Sequence, residues 1–198
     1  PVDGSVIGDV LRLAEESLRL LGKDHILEIS HLGMLRAFTE AIAPDEKTRH
    51  GILRCAGEKN LHGISLICRE AGLAEGAEKP LRQLLSLYGT PKKVLPGLMA
   101  LAEENGCGES ARQLSAATAV FAGTEAEGKV WIDFSATGDL RYYNGIAFKG
   151  FLDGVPDSVL SGGQYDTLMK KMGRKDKAIG FAVFLDKLDR LTEEGEHA

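Results

Sequence analysis

The period of the apolar residues changes abruptly near residue 128, and this change restricts the fold more than any other feature of the chain. From about 45 to 127 the spacing is helical, interrupted by glycines and prolines, with no convincing strand. Beyond it, Val130, Ile132 and Phe134 occupy alternate positions, which predicts a half-buried strand. Helices and strands that are segregated in this way predict an α+β domain.

The segments on either side of the helical stretch predict the remaining elements. A helix begins after the N-cap Asp3 and stops at Gly22, and its apolar stripe is expected at Val6, Val10, Leu13, Ala14, Ser17, Leu18 and Leu21. A second helix is expected at 31–42 and a closing helix at 184–191. The expected strands are 25–30, 130–135, 141–151, 159–161 and 178–183. An antiparallel sheet is favoured because the last three strands lack crossover helices.

This pattern predicts a division of the chain into two parts. Residues 1–44 and 128–198 are expected to build the sheet with its flanking helices. Residues 45–127 are expected to form an inserted, all-helical subdomain that projects from it.

Composition narrows the possible functions. The net charge of −5 argues against a surface that neutralises nucleic-acid phosphates, so tRNA is not an expected partner. The five histidines show no metal spacing, and three separated cysteines fit a reduced, cytoplasmic protein. No apolar run is long enough to span a membrane. We therefore expect a cytoplasmic globular protein without a metal or other cofactor.

Two segments leave room for a ligand. In the strand near residue 145, Tyr143, Gly145 and Ala147 share one face, where small residues accommodate either a ligand or a packed helix. Gly162 and Gly163 allow close backbone approach, although a plain turn is the commoner explanation of paired glycines. Tyr165 is expected to bring its hydroxyl to the same place as Tyr143.

Three segments in order resemble the carboxy-terminal half of the histidyl-tRNA synthetase catalytic domain. The family's R-G-L-D-Y-Y-T/N-G corresponds to residues 138–145, its G-G-R-Y-D-G-L to 162–168, and its third motif, G-x-G-F-A-x-G-x-E-R-L, to 178–188. The amino-terminal segment resembles the family's D-A-E-V-I and L-E-I-N-x-x-G motifs at 2–7 and 27–33. The resemblance implies a class II aminoacyl-tRNA-synthetase-like antiparallel sheet, and the family's inserted domain falls at 45–127. It also implies that the first two class-defining motifs lie upstream of Pro1.

The departures from the family pattern fall on its charged catalytic positions. The arginine that supports adenylate formation is Gly138, the aspartate of the same motif is Arg141, and the arginine of the second segment is Gln164. In the third motif the ATP-clamping arginine is Lys187, which lacks a planar two-pronged donor set, and a glycine is Phe184, whose ring is expected to fill nucleotide space. No catalytic residue is therefore assigned.

The retained tyrosines suggest a sensor of histidine. The resemblance implies a histidine site made by Tyr143, Tyr165, Gly145, Ala147, Gly162 and Gly163. A lost nucleotide site beside a retained amino-acid pocket is similar to the regulatory subunits of ATP phosphoribosyltransferase, which are synthetase paralogues. This implies a homodimer in the full-length protein that activates the short-form catalytic subunit and takes part in feedback inhibition by histidine. An active synthetase fragment and a binding module without a histidine link are the alternatives.

Overall fold

The computed structural model describes residues 2–135 and 143–188, and these form a mixed six-stranded sheet with helices. The helices are α1 (Gly4–Leu20), α2 (Leu32–Ile42), α3 (Glu46–Gly57), α4 (Leu61–Glu70), α5 (Lys79–Ser86), α6 (Pro91–Glu104), α7 (Gly108–Thr118) and α8 (Asp166–Lys171). The strands are β1 (His25–His31), β2 (Tyr88–Gly89), β3 (Val130–Asp133), β4 (Ile146–Leu152), β5 (Leu160–Gln164) and β6 (Ile179–Val183). Short 3₁₀ helices lie at Ala119–Phe121 and Glu125–Lys129. The expected α+β class is confirmed.

The strand order is β2-β3-β1-β4-β5-β6, and every neighbouring pair is antiparallel except β1 with β3. Parallel neighbours need a long crossover between them, and the helices from α2 to α7 lie in the connection from β1 to β3. The helical stretch that interrupts the strands in sequence is thus the reason why one pair can be parallel.

The helical stretch is not free of strands. Tyr88 and Gly89 form β2 and pair with Asp133 and Ile132 at one edge of the sheet. The prediction of an all-helical stretch is therefore wrong at these two residues, because so short a strand carries no readable period. Helix α7 also packs on α1 and β1, and α6 packs on β3. The domain boundaries at 45 and 127 stay a prediction.

Helix α1 has the expected ends but a different buried stripe. The Asp3 carboxylate accepts hydrogen bonds from the backbone N–H groups of Ser5 and Val6 at 3.0 and 3.1 Å. The buried apolar residues are Ile7, Leu11, Ala14 and Leu18. Leu13, which the sequence placed in the stripe, is 56% exposed. Two apolar stripes run side by side on this helix, and the packing partner decides which of them is buried.

Two strand boundaries and one helix also differ from the sequence prediction. Strand β4 begins at Ile146 rather than near 141, and β5 extends to Gln164 rather than ending at 161. Helix α8, between β5 and β6, was not predicted, yet β5 and β6 are antiparallel as expected. Residues 185–188 form the start of the predicted closing helix, the rest of which lies outside the described residues.

The sheet has two faces with different surroundings. On β4, Ile146, Phe148, Gly150 and Leu152 point to one side, where a Cβ added to Gly150 would lie 2.7 Å from Leu18 of α1. We call this side the core face and the opposite side, turned away from α1, the far face. In β1, Leu27, Ile29 and His31 belong to the core face, whereas Glu28 and Ser30 belong to the far face.

Candidate functional site

A row of small residues crosses the far face. Ser30 of β1 pairs in register with Ala147 of β4, Ala147 pairs with Gly163 of β5, and Gly163 pairs with Gly180 of β6. Residues in register point to the same side of a sheet, so these four form a continuous line. We call Ala147, Gly163 and Gly180, with the two tyrosines above them, the tyrosine patch.

Both predicted tyrosines lie on this patch. A Cβ added to Gly163 would be 2.9 Å from Cδ1 of Tyr143, and one added to Gly180 would be 3.4 Å from the hydroxyl oxygen of Tyr165. Because Gly163 and Gly180 are register partners, the two rings cover adjoining positions. Both tyrosines are half-buried, which leaves part of each side chain accessible.

Two of the glycines named from the sequence do not contribute open floor. Gly162 belongs to the core face, where an added Cβ would lie 2.5 Å from both Phe148 and Phe181. Beside Gly145 the space is already filled, since an added Cβ would lie 2.1 Å from the amide oxygen of Gln164. Consecutive residues of a strand face opposite sides, so the pair Gly162-Gly163 could not both line one pocket.

Gln164 has a structural role in this arrangement. Its side chain is buried, and its Oε1 accepts a hydrogen bond from the backbone N–H of Ile146 at 2.7 Å. Asn144 donates its backbone N–H to the Gln164 carbonyl, and its Oδ1 accepts the backbone N–H of Asp166 at 2.9 Å. These bonds connect the segment before β4 to the end of β5, and so fix the chain directly after Tyr143 and on both sides of Tyr165.

A second tie holds the start of β6. Asp166 Oδ1 accepts the backbone N–H of Ala178 at 3.2 Å, and the backbone N–H of Tyr165 donates to the Ala178 carbonyl at 3.0 Å. Asn144 and Asp166 were not assigned from the sequence beyond their place in the motifs. Their task becomes visible only when the segments that they connect are seen together.

The far face becomes polar towards β3. The Ser30 hydroxyl is fully buried and has no hydrogen-bond partner among the described residues. Glu28 is half-buried, and its pKa is raised because burial disfavours the charged carboxylate and the carboxylate of Asp133 is near. Asp133 is itself buried. None of these three residues is predicted as a site residue from the sequence, although the alternation of β1 places Glu28 and Ser30 on one side of the sheet.

Phe184 and Lys187 lie at the other end of β5 and β6. The backbone N–H of Phe184 donates to the carbonyl of Val159, four residues along the sheet from the Gly163–Gly180 pair, which is about 13 Å at the usual strand rise. The Lys187 ammonium donates to the Ser158 carbonyl at 3.1 Å, lies 3.9 Å from Asp157 and sits 5.2 Å from the centre of the Phe184 ring. Its charge is thus directed at its own chain. Gly138 and Arg141 fall outside the described residues.

A membrane-spanning helix and a metal-binding cluster are both absent from the part of the chain that the structure describes. Over residues 2–135 and 143–188, no helix combines the length and apolarity that a membrane span requires. The same residues contain no group of three or more His, Cys, Asp and Glu side chains placed to hold a metal ion.

Comparison with protein families gives a match over nearly the whole chain. The family model described as histidyl-tRNA synthetase matches residues 6–188. An ATP phosphoribosyltransferase regulatory subunit of Alkaliphilus metalliredigens is 26% identical over 190 residues, and one of a Janthinobacterium species is 30% identical over 189. These alignments cover 96% and 95% of this chain but 48% of each relative. The chain therefore spans about half the length of these relatives.

Solved structures give the same fold. An ATP phosphoribosyltransferase regulatory subunit/histidyl-tRNA synthetase from Bacillus halodurans superposes with a TM-score of 0.83 at 25% identity, over 95% of this chain and 50% of that chain. An ATP phosphoribosyl transferase (HisG:HisZ) complex from Thermotoga maritima gives a TM-score of 0.68 at 18% identity, over 92% and 62%. The second similarity is one of fold alone. The expected class II synthetase-like fold is confirmed.

Proposed function

Since the chain belongs to the histidyl-tRNA synthetase family, we propose that it forms part of a regulatory subunit of ATP phosphoribosyltransferase that has no catalytic activity of its own. Relatives aligned over nearly the whole chain carry that regulatory-subunit name. The subunit would act at the first step of histidine biosynthesis, where it activates the short-form catalytic subunit and helps to sense histidine.

The proposed lack of catalytic activity is supported by the contacts of the side chains that replace the family's arginines. The buried Gln164 side chain accepts a hydrogen bond from the backbone N–H of Ile146. The Lys187 ammonium contacts the Ser158 carbonyl and the Phe184 ring. Groups held in this way are not presented to a phosphate. Losing one donor that stabilises a transition state typically costs about 10²–10³ in rate, so several losses together leave no amino-acid activation.

The partner in this proposal is the short-form catalytic subunit of ATP phosphoribosyltransferase. A complex described as HisG:HisZ has a chain with the same fold, which supports an assembly of two different subunits. We further propose that the full-length subunit is a homodimer. Co-purification with the catalytic subunit, followed by measurement of its turnover with and without the regulatory subunit, tests the activation directly.

The proposed effector site is the tyrosine patch. A tyrosine hydroxyl can donate to or accept from an imidazole nitrogen, and both tyrosines are partly accessible where they lie over the small residues Gly163 and Gly180. A net hydrogen bond contributes about 0.5–1.5 kcal/mol. Tyr143→Phe in the intact subunit should therefore weaken histidine binding by about threefold to tenfold.

Calorimetric titration of histidine into the subunit in complex with its catalytic partner measures this effect. Tyr143→Phe keeps the ring, so the fold should be retained and a change in affinity reports the hydroxyl. Tyr88→Phe is the control, because Tyr88 lies on the edge strand β2, three strands from β4, and the substitution keeps the ring that the Lys59 ammonium contacts. Equal affinities of wild type and Tyr143→Phe would contradict the site, and absence of histidine binding by wild type would contradict the sensing role.

Amino-acid activation is tested separately. The intact protein should show no histidine-dependent exchange of pyrophosphate into ATP above background. The double reversal Gly138→Arg with Lys187→Arg should not restore exchange, because Phe184 remains. Exchange by the unsubstituted protein would favour the alternative, an active histidyl-tRNA synthetase.

A further inference from the structure

Lys59 has a backbone conformation that favours glycine. It directly follows the C-cap of α3 with φ at 54°, and among the described residues it is the only non-glycine residue with a positive φ. Its N–H donates to the Ala56 carbonyl, and the next N–H, of Asn60, donates to the Cys55 carbonyl, so the chain turns tightly there. Glycine is the residue that usually occupies this position after a helix. A lysine held in this conformation suggests that its side chain has a task.

The Lys59 side chain leaves the helical stretch and reaches the far face of the sheet. Its ammonium lies 2.8 Å from Oδ2 of Asp133 and 4.6 Å from the centre of the Tyr88 ring. The Asp133 side chain is 3% exposed, whereas that of Lys59 is 61% exposed. A buried carboxylate without a cation beside it is strongly unfavourable, so the Lys59 ammonium stabilises the Asp133 carboxylate in its buried place.

Asp133 uses both carboxylate oxygens. Its Oδ1 accepts hydrogen bonds from the backbone N–H and the hydroxyl of Ser135, at 2.7 and 2.6 Å. Ser135 is the last described residue before residues 136–142, after which the chain returns at Tyr143. A single carboxylate therefore joins the helical stretch to the end of β3.

Asp133 also belongs to the same face as the patch. Glu28 pairs in register with Trp131 of β3 and with Lys149 of β4, and Asp133 lies two residues beyond Trp131 on the same side. Asp133 is thus about 10 Å from Ala147 at the usual spacing of neighbouring strands. Its carboxylate raises the pKa of Glu28, after the larger effect of burial, which agrees with this closeness.

We propose that Lys59 is a positioning residue for the tyrosine patch, acting through the Asp133 carboxylate, so that loss of the Lys59 ammonium weakens the binding of histidine. The inference rests on the proposed histidine site. It assigns no contact between Lys59 and the ligand. The Lys59 side chain contacts β2 and β3, and β1 separates β3 from β4, so its effect on histidine affinity is indirect.

Substitution of Lys59 in the intact subunit tests the proposal by histidine calorimetry. Lys59→Gly removes the ammonium while it suits the backbone, and we expect the dissociation constant for histidine to rise by about threefold to tenfold. Lys59→Arg keeps the charge and should restore most of the affinity. Lys23→Gly, at an exposed lysine in the turn between α1 and β1, should leave it unchanged. Thermal melting of each variant ensures that folded protein is compared.

A double-mutant cycle tests the route through Asp133. If Lys59 acts through that carboxylate, Asp133→Asn should weaken binding as Lys59→Gly does, and the double variant should bind no more weakly than the weaker single variant. Additive losses, or an unchanged dissociation constant for a folded Lys59→Gly subunit when wild type binds histidine, would overturn this inference alone. Absence of binding by wild type would instead remove the proposed function, and this inference with it.

Discussion

The two faces of the sheet differ in what their side chains do. On the core face, β4 presents Ile146, Phe148 and Leu152, all buried, and Gly150 where Leu18 of α1 approaches. On the far face, the same strand presents Ala147 and Lys149, beside Ser30 and Glu28 of β1. One face is filled by large apolar groups. The other combines small residues with polar ones, among them the Ser30 hydroxyl, which has no partner among the described residues.

The difference between the faces indicates that the far face contributes less to the stability of the fold than the core face. Large apolar side chains on the core face stabilise the fold by their burial. On the far face, the buried Ser30 hydroxyl has no partner in the described part of the chain, and the half-buried Glu28 carboxylate has a raised pKa; both features are unfavourable to folding. Groups of this kind are typical of ligand sites, where a bound molecule completes the hydrogen bonds. Substitutions that compare the two faces can test this view.

The largest expected effect is that of Phe148→Ala on the core face. Phe148 is 1% exposed and packs edge-to-face on Phe181, with ring centres 6.2 Å apart. We expect a loss of about 3–5 kcal/mol in the free energy of unfolding, because a large cavity remains. Lys149→Ala, one residue further and on the far face, should change it by less than about 0.5 kcal/mol. Urea unfolding of both variants measures the contrast, and similar losses would contradict the assignment of the faces.

Alanine at the two adjacent glycines of β5 should give different results. At Gly162 an added Cβ would lie 2.5 Å from Phe148 and Phe181 and 2.6 Å from the Gly180 carbonyl, so Gly162→Ala should cost about 1–3 kcal/mol in stability. Gly163→Ala would also press on Tyr143, 2.9 Å away, and should in addition change the near-ultraviolet circular dichroism of the tyrosines in the folded protein. An unchanged spectrum for folded Gly163→Ala would contradict the placement of Tyr143.

His31, on the core face of β1, should make stability depend on acid pH. Its ring accepts the Met34 N–H, its other nitrogen lies 3.2 Å from Gln113 Oε1, and burial lowers its pKa. The unfolded chain therefore binds a proton near pH 6.5 before the folded chain does. Stability is complete above that pH and is lost as pH falls below it, by at most about 1.4 kcal/mol per pH unit.

Urea unfolding between pH 7 and 5 measures this acid slope. His31→Gln should reduce the slope, since the titrating group is removed. His62→Gln is the matched control, because His62 is exposed on α4 and should leave the slope unchanged. Equal slopes for wild type and His31→Gln would show that other groups account for the loss.

The smallest effect is expected at Glu28, on the far face of the same strand. Because its pKa is raised in the folded state, the folded chain holds the proton more tightly than the unfolded chain. Ionisation therefore reduces stability as pH rises through the ordinary range of a glutamate and beyond. Glu28→Gln should raise the melting temperature slightly at pH 7 and have no such effect near pH 3. Glu16→Gln, at an exposed position of α1, should do neither. A lower melting temperature for Glu28→Gln would show that its carboxylate is satisfied.

The amino-acid pattern was sufficient for most elements of the fold. The Asp3 cap, the stop at Gly22 and the alternation after Val130 act locally, between residues a few positions apart. Such short-range preferences predict where a helix or strand exists. The order of the three sequence motifs indicated the family, which the family model confirms. The alternation around Ala147 assigned the residues of β4 to the correct faces of the sheet. It also argued for Tyr143 on the side of the small residues.

Contacts between distant residues were decided only by the tertiary structure. The sequence placed Leu13 in the buried stripe of α1, yet Leu11 is buried there, because the sheet and α7 decide which stripe is covered. Strand β2 forms because the edge of β3 is available for pairing. Gly162 lies on the core face because it pairs in register with Phe148 of β4. Lys59 and Asp133 meet across 74 positions, so no local pattern could reveal their pairing. Local preferences depend on neighbours in sequence, whereas burial and ion pairing depend on neighbours in space.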